Sequence, residues 1–434
     1  MFKIGSFIVL LSLVFSGCSS ISQTPLEPTV EKKELKNQKA FEQEDTFIMF
    51  ALRAEQLKDY KSAAVIFDKI YQKSQRKEYL YRSLQNMLII KENKEIIAKV
   101  DAIVQNKLDD YILIRLKIIA LIQLGKIAEA EILAVRLVEK SKVVNDYVLV
   151  SDIYIEDKKY DLAVKYLESA YYQNYDEKIL DKLSIVLYVN LNRKKDAIAQ
   201  LETHSRVHGC SLVVCKRLIA FYSNDNNLEG ILSAYLRAYK IDPSAENSLK
   251  IVQIYGYKKE YAKLVLFLED SKSDDKTLLQ LYISAKDYKK ASILAKNLYD
   301  NTSEIQYLGE SAIYQYESAK NKNNKKLLEE VSSKFNRVLK EDRGTLYLNY
   351  YGYLLIDHEI DIVKGIKYVQ EALKTEPNSA FYLDSLAWGY YKQGKCKDAL
   401  SIIKKVMTLD GGDDAEVIKH YKIIKNCKTK KGKK

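Results

Sequence analysis

Five cysteines and four histidines are the side chains of this 434-residue sequence best equipped for nucleophilic, redox or metal chemistry. His204 and His208 stand four apart, so one helix face would present both imidazoles, as some zinc sites require. The intervening Ser205-Arg206-Val207 lacks the glutamate of an H-E-x-x-H helix, which makes the pair a weak metal signal. Cys210 and Cys215 form C-x4-C, a spacing that argues against zinc. His358 and His420 stand alone. There is no glycine-rich phosphate loop, no G-x-S-x-G elbow and no Ser/His/Asp pattern. Carboxylates are plentiful but scattered, as on any set of exposed helices. The expectation is a protein that is not an enzyme, with no catalytic residue, no metal, no cofactor and no small-molecule substrate.

The elements that carry these residues read as helices throughout. Only 4 prolines and 15 glycines occur, so helix breakers are scarce. Small and large residues recur at a period near 34. The clearest unit starts at Ala380, AFYLDSLAWGYYKQGKCKDALSIIKKVMTLDGG, with Ala387, Tyr390, Gly394 and Ala399 at unit positions 8, 11, 15 and 20. The unit before it carries Gly352, Gly365, Val369, Ala372 and Pro377 in the matching places. Further copies fall near 44–77, 111–143, 144–177, 178–211, 212–244 and 272–302, on residues such as Ala51, Ala63, Tyr154, Ala163, Tyr188, Ala197, Tyr222, Ala238 and Ala291. The stretches 78–110, 245–271 and 303–344 are degenerate but still read as helix pairs.

This series resembles the tetratricopeptide (TPR) repeat. The resemblance implies an all-α fold: a right-handed superhelical solenoid of about ten TPR-like helix pairs over 43–413, ended by a C-terminal capping helix over 414–427. No pair can bury its apolar face alone, so neighbours must stack. The aromatic stripe at position 11 is then core and not a cofactor box.

The N-terminus decides the compartment. Lys3 precedes an apolar run, Phe7 to Phe15, of signal-peptide length. Phe15-Ser16-Gly17-Cys18 resembles a bacterial lipobox, with Phe15 in place of the usual leucine. The resemblance implies a signal peptide over 1–17, cleavage before Cys18 and a lipid thioether on it. Ser19, in place of aspartate, points by resemblance to the outer membrane, facing the periplasm. Residues 18–42 are polar, hold Pro25 and Pro28, and read as a flexible lipidated tether. The net charge of +12 would suit anionic partners, but export makes nucleic acid an unexpected one. The tail Lys428–Lys434 carries five lysines and reads as a solubilising end.

Lipidation of Cys18 leaves four cysteines in an oxidising compartment, and these allow three pairings. Helix topology favours Cys396–Cys427, which would clamp the capping helix, with Cys210–Cys215 closing a local loop.

The last two units resemble most closely the C-terminal repeats of an outer-membrane lipoprotein that acts as adaptor for a carboxyl-terminal processing protease. The resemblance covers roughly 70 residues. It implies a scaffold that holds other envelope proteins, either a protease or a component of an outer-membrane assembly, export or motility machine. In such arrays the first helix of each pair lines a concave groove. Asn349, Tyr353, Asp384, Trp388 and Tyr391 take the groove positions of the last two units and are the candidate partner-binding residues. Asp152, Lys182, Val186 and Val189 take equivalent places upstream.

Overall fold

The computed structural model describes residues 39–105 and 109–427. The segments expected to be a signal peptide and, for the most part, a tether, with Cys18 between them, and the basic tail lie outside the described residues. Among the described residues every element is helical, and none is long and apolar enough to cross a membrane.

The chain divides into two compact units at Asn174/Tyr175, at the end of one helix pair. The first unit holds four pairs. They are α1 (Glu44–Gln56) with α2 (Tyr60–Ser74), α3 (Lys77–Ile89) with α4 (Asn93–Val104), α5 (Tyr111–Gln123) with α6 (Ile127–Ser141), and α7 (Val144–Glu156) with α8 (Tyr160–Asn174). The second holds seven pairs and a closing helix. In order these are α9 (Glu177–Ile185) with α10 (Lys194–His208), α11 (Leu212–Asn224) with α12 (Leu228–Ile241), α13 (Ala245–Tyr257) with α14 (Tyr261–Ser271), and α15 (Asp275–Ser284) with α16 (Tyr288–Thr302). Then come α17 (Ile305–Glu317) with α18 (Lys325–Glu341), α19 (Thr345–Asp357) with α20 (Ile362–Thr375), α21 (Ala380–Lys392) with α22 (Cys396–Val406), and α23 (Ala415–Lys425). The described residues therefore form eleven pairs, against about ten expected. The three degenerate stretches fold as α3/α4, α13/α14 and α17/α18.

Local chemistry sets the punctuation. Side chains of Asp59, Asp110, Asn227, Asp287 and Asp361 accept from backbone N–H groups three residues on and cap α2, α5, α12, α16 and α20. The turn inside a pair usually needs one left-handed residue. Gly125 and Gly394 supply it without a Cβ penalty, but Lys58, Lys91, Lys158, Lys259 and Lys286 adopt it too.

Packing explains the small residues found by period. Ala51, Ala63, Ala163, Ala197, Ala291, Ala387 and Ala399 are fully buried. In α19/α20 the approach is closer still. A Cβ on Gly365 would stand 2.6 Å from the carbonyl oxygen of Gly352, so only glycine lets these backbones meet. Aromatic rings fill the seams between successive pairs: Phe335 stacks on Tyr351 at 5.2 Å, and Tyr188 on Phe221 at 3.9 Å. Within the second unit these rings seal one pair against the next, as modules that cannot fold singly require. Long-range polar contacts repeat at nearly the module length. Arg115 grips Asp146 through two hydrogen bonds of 2.6 and 2.8 Å, and Arg217 grips Asp181 in the same way.

Candidate functional site

The predicted groove residues other than Tyr391 sit at four-residue steps. Asn349, Tyr353 and Asp357 share one face of α19, and Asp384, Trp388 and Lys392 share one face of α21. Glu416 and His420 do the same on α23. The three faces meet.

Trp388 is not an open anchor. It is 7% exposed, and the His420 ring of α23 stacks on it at 4.1 Å and 13°. Tyr391 stacks beside Trp388 at 4.9 Å, and Trp388 Nε1 donates to Asp357 Oδ1 at 2.9 Å. Trp388 is therefore spent inside the fold, and Tyr391 is half-buried against it. The cause is the path of α23, which packs on α21 as well as on α22 and so covers the face that the indole would have presented. Upstream, Val186 is also core, at 2% exposed, while Val189 stays open at 66%. Val186 begins a π-helical turn, Val186–Asn190, that continues α9.

Asn349, Tyr353 and Asp384 do come together. They line a cleft of about 370 Å³ with Glu317 of α17, Asp357 of α19 and Glu416 of α23. Tyr353 donates its hydroxyl to Glu416 Oε1 at 2.6 Å, and Tyr350 donates to Glu317 Oε1. Burial, reinforced by these carboxylate partners, pushes both phenols far above their ordinary range, so they remain donors. Lys322 pairs with Glu317 at 2.7 Å and is the one cation among the lining residues.

Asp384 is 5% exposed. Its Oδ2 lies 2.8 Å from His420 Nδ1, while its Oδ1 is buried with no hydrogen-bond partner among the described residues. Burial pushes the Asp384 carboxyl up, and His420 opposes that shift only in part. The side-chain oxygen of Asn349 is buried and unpartnered in the same way. Sequence reading missed Asp357, which continues the four-residue steps of Asn349 and Tyr353. It also missed Glu317, Glu416 and His420, which reach the site only through the packing of α17 and α23.

The cysteines stand in the expected pairs. Cys210 and Cys215 are bonded with Cα atoms 5.8 Å apart, and Cys396 and Cys427 with Cα atoms 5.6 Å apart. The second bond joins the start of α22 to the residue beyond α23. His204 and His208 share a face, with ring centroids 4.9 Å apart, and His204 is buried 3.4 Å from Glu177. Among the described residues no group of three or more His, Cys, Asp or Glu is placed to hold a metal ion.

No protein-family model and no curated protein matches this chain. Among solved structures it is similar to the anaphase-promoting complex assembly Cut9–Hcn1, at 10% identity and TM-score 0.38, over 89% of this chain and 97% of that one. A second likeness is to Naa15/Naa10 bound to HypK, at 14% identity and TM-score 0.28, over 87% of this chain and 65% of that one. A third is to a tetratricopeptide repeat protein from Parabacteroides merdae, at 12% identity and TM-score 0.28, over 65% and 99%. At such values these likenesses carry no functional argument. The paired-helix architecture rests on the elements themselves.

Proposed function

We propose that this chain is a non-catalytic adaptor, a lipid-anchored scaffold at the periplasmic face of an outer membrane that recruits an envelope protease or its substrates. The observation that carries the reading is the cleft between α17, α19, α21 and α23, where buried acceptors of Asn349 and Asp384 stand without partners. Unsatisfied buried polar groups cost about 1–3 kcal/mol each, so a cleft that keeps two of them is suited to a ligand that supplies donors. The lipobox-like Phe15–Cys18 supports the anchor, and the resemblance of residues 348–373 and 380–400 to the adaptor's last repeats supports the class of partner.

The test is affinity capture from native membranes, with the intact chain and with an Asn349→Leu/Asp384→Asn variant. Recovery of a processing protease by the intact chain and its loss with the variant is the expected result. Recovery of barrel-assembly, export or motility components alone would replace the protease reading by that of a structural accessory. Cys18→Ser should move the protein from the membrane fraction to the soluble fraction. Retention in the membrane would remove the anchor from the proposal.

A further inference from the structure

We propose that the α17/α19/α21/α23 cleft is a socket for an arginine side chain of a partner polypeptide. This inference rests on the adaptor reading and gives its site a ligand chemistry.

The lining is rich in acceptors and poor in free donors. Four carboxylates face it: Glu317, Asp357, Asp384 and Glu416. Three of them are held by neighbours through one oxygen each, Asp357 by Trp388, Asp384 by His420 and Glu416 by Tyr353. Glu317 is held at both oxygens, by Tyr350 and by Lys322. The only lining cation is therefore already engaged. Each bond fixes a carboxylate in place, as a preformed socket requires.

Two of the lining acceptors are both buried and unpartnered. Asp384 Oδ1 and Asn349 Oδ1 are buried and unpartnered among the described residues, and Asp384 as a whole is only 5% exposed. These are what distinguish the cleft from an ordinary acidic surface. The walls are aromatic, with Tyr316, Tyr350, Tyr353 and Phe381 among them. A guanidinium carries five N–H donors in a plane, stacks on aromatic faces and is more weakly hydrated than an ammonium. It satisfies several spaced acceptors between flat walls with one group. An anionic or purely apolar ligand would leave Asp384 Oδ1 and Asn349 Oδ1 unpaired.

The chain has one tryptophan, and Trp388 bonds the cleft carboxylate Asp357, so its emission reports on this site alone. The experiment titrates the oxidised mature chain, at about 0.15 M salt, with a blocked pentapeptide containing one arginine. The comparison peptide carries citrulline, which keeps the shape and loses the charge. The arginine peptide should shift Trp388 emission saturably, and the citrulline peptide should bind at least tenfold more weakly. Asp384→Asn should weaken the arginine peptide at least tenfold. Glu317→Gln, at a more exposed position, should weaken it measurably and serves if Asp384→Asn does not fold. Glu371→Gln, whose partner is Arg343, should leave it unchanged.

Equal binding of the two peptides, or none, would overturn the proposal. So would displacement of the arginine peptide by excess calcium chloride at constant ionic strength, which would assign the cleft to a metal cation. The adaptor reading fails separately. If membrane capture returns a protease whose retention ignores Asp384→Asn, the socket falls and the adaptor stands. If the arginine peptide binds but no envelope protein is captured, the reverse holds.

Discussion

Asp146 is 1% exposed, and its charge is met by Arg115 and by the hydroxyl of Ser141. Removing one partner of a buried pair costs more than the pair contributes, because the orphaned charge stays behind. Arg115→Met should therefore destabilise the first unit by about 3–5 kcal/mol. The double variant Arg115→Met/Asp146→Leu should recover most of that loss in urea titrations. Additive losses would show that the pair is not coupled. Lys334 poses the opposite case. Burial, with Lys296 nearby, lowers its amine from 10.5 to about 8, and Nζ donates to Ser311 Oγ at 2.8 Å. Between those two pH values the unfolded chain holds a proton that the folded chain has released. Stability from this group thus rises with pH across that window, and below it the buried charge is a burden. Lys334→Met should raise the melting temperature at pH 7, and the gain should shrink by pH 9.5. A gain that grows with pH would contradict the assignment.

A helix pair stands or falls on the closeness of its two backbones. At Gly365 a methyl group would meet the carbonyl oxygen of Gly352 at 2.6 Å and Ile356 Cγ1 at 2.8 Å. A backbone atom cannot turn aside, so the clash outweighs the helix propensity of alanine. Gly365→Ala should cost about 1–3 kcal/mol. Gly256, in α13, has nothing within 4 Å of a built Cβ. There the same substitution should add up to about 1 kcal/mol. Chemical denaturation of both variants checks the contrast, and equal effects would refute the packing account. This is also why the pairs were legible from sequence. Small residues at positions 8 and 20 are a local demand of the crossing, repeated wherever the crossing recurs. Asn349 and Tyr353 were legible for a similar reason, since helical spacing alone puts them on one face of α19, and Asp384 takes the equivalent place on α21. Burial of Trp388 was not. It depends on where α23 lies, a matter of packing between elements that no local pattern encodes.

At the scale of the whole molecule, the described chain is two compact units, and the second closes on itself at its C-terminal end. Val417 and Ile424 of α23 join the core of the last two pairs, and Cys396–Cys427 ties the helix down across 31 residues. On the chain-entropy view a loop of that length contributes about 3–4 kcal/mol. Cys396→Ser/Cys427→Ser should therefore leave α1–α22 protected in hydrogen exchange while α23 exchanges faster. Trp388 emission should shift as His420 lifts away. Unchanged protection of α23 would show that its apolar face alone suffices. A lid soldered to its box also governs descent. In an array whose modules touch only their neighbours, whole units are the natural increments of gain and loss. An extra unit placed after Cys396 would pull the two sulfurs apart and strip the cover from Trp388 in one step. One inserted before α17 disturbs neither. Growth and loss should thus accumulate toward the amino end, leaving the cleft and its cover to pass between generations as a single heirloom.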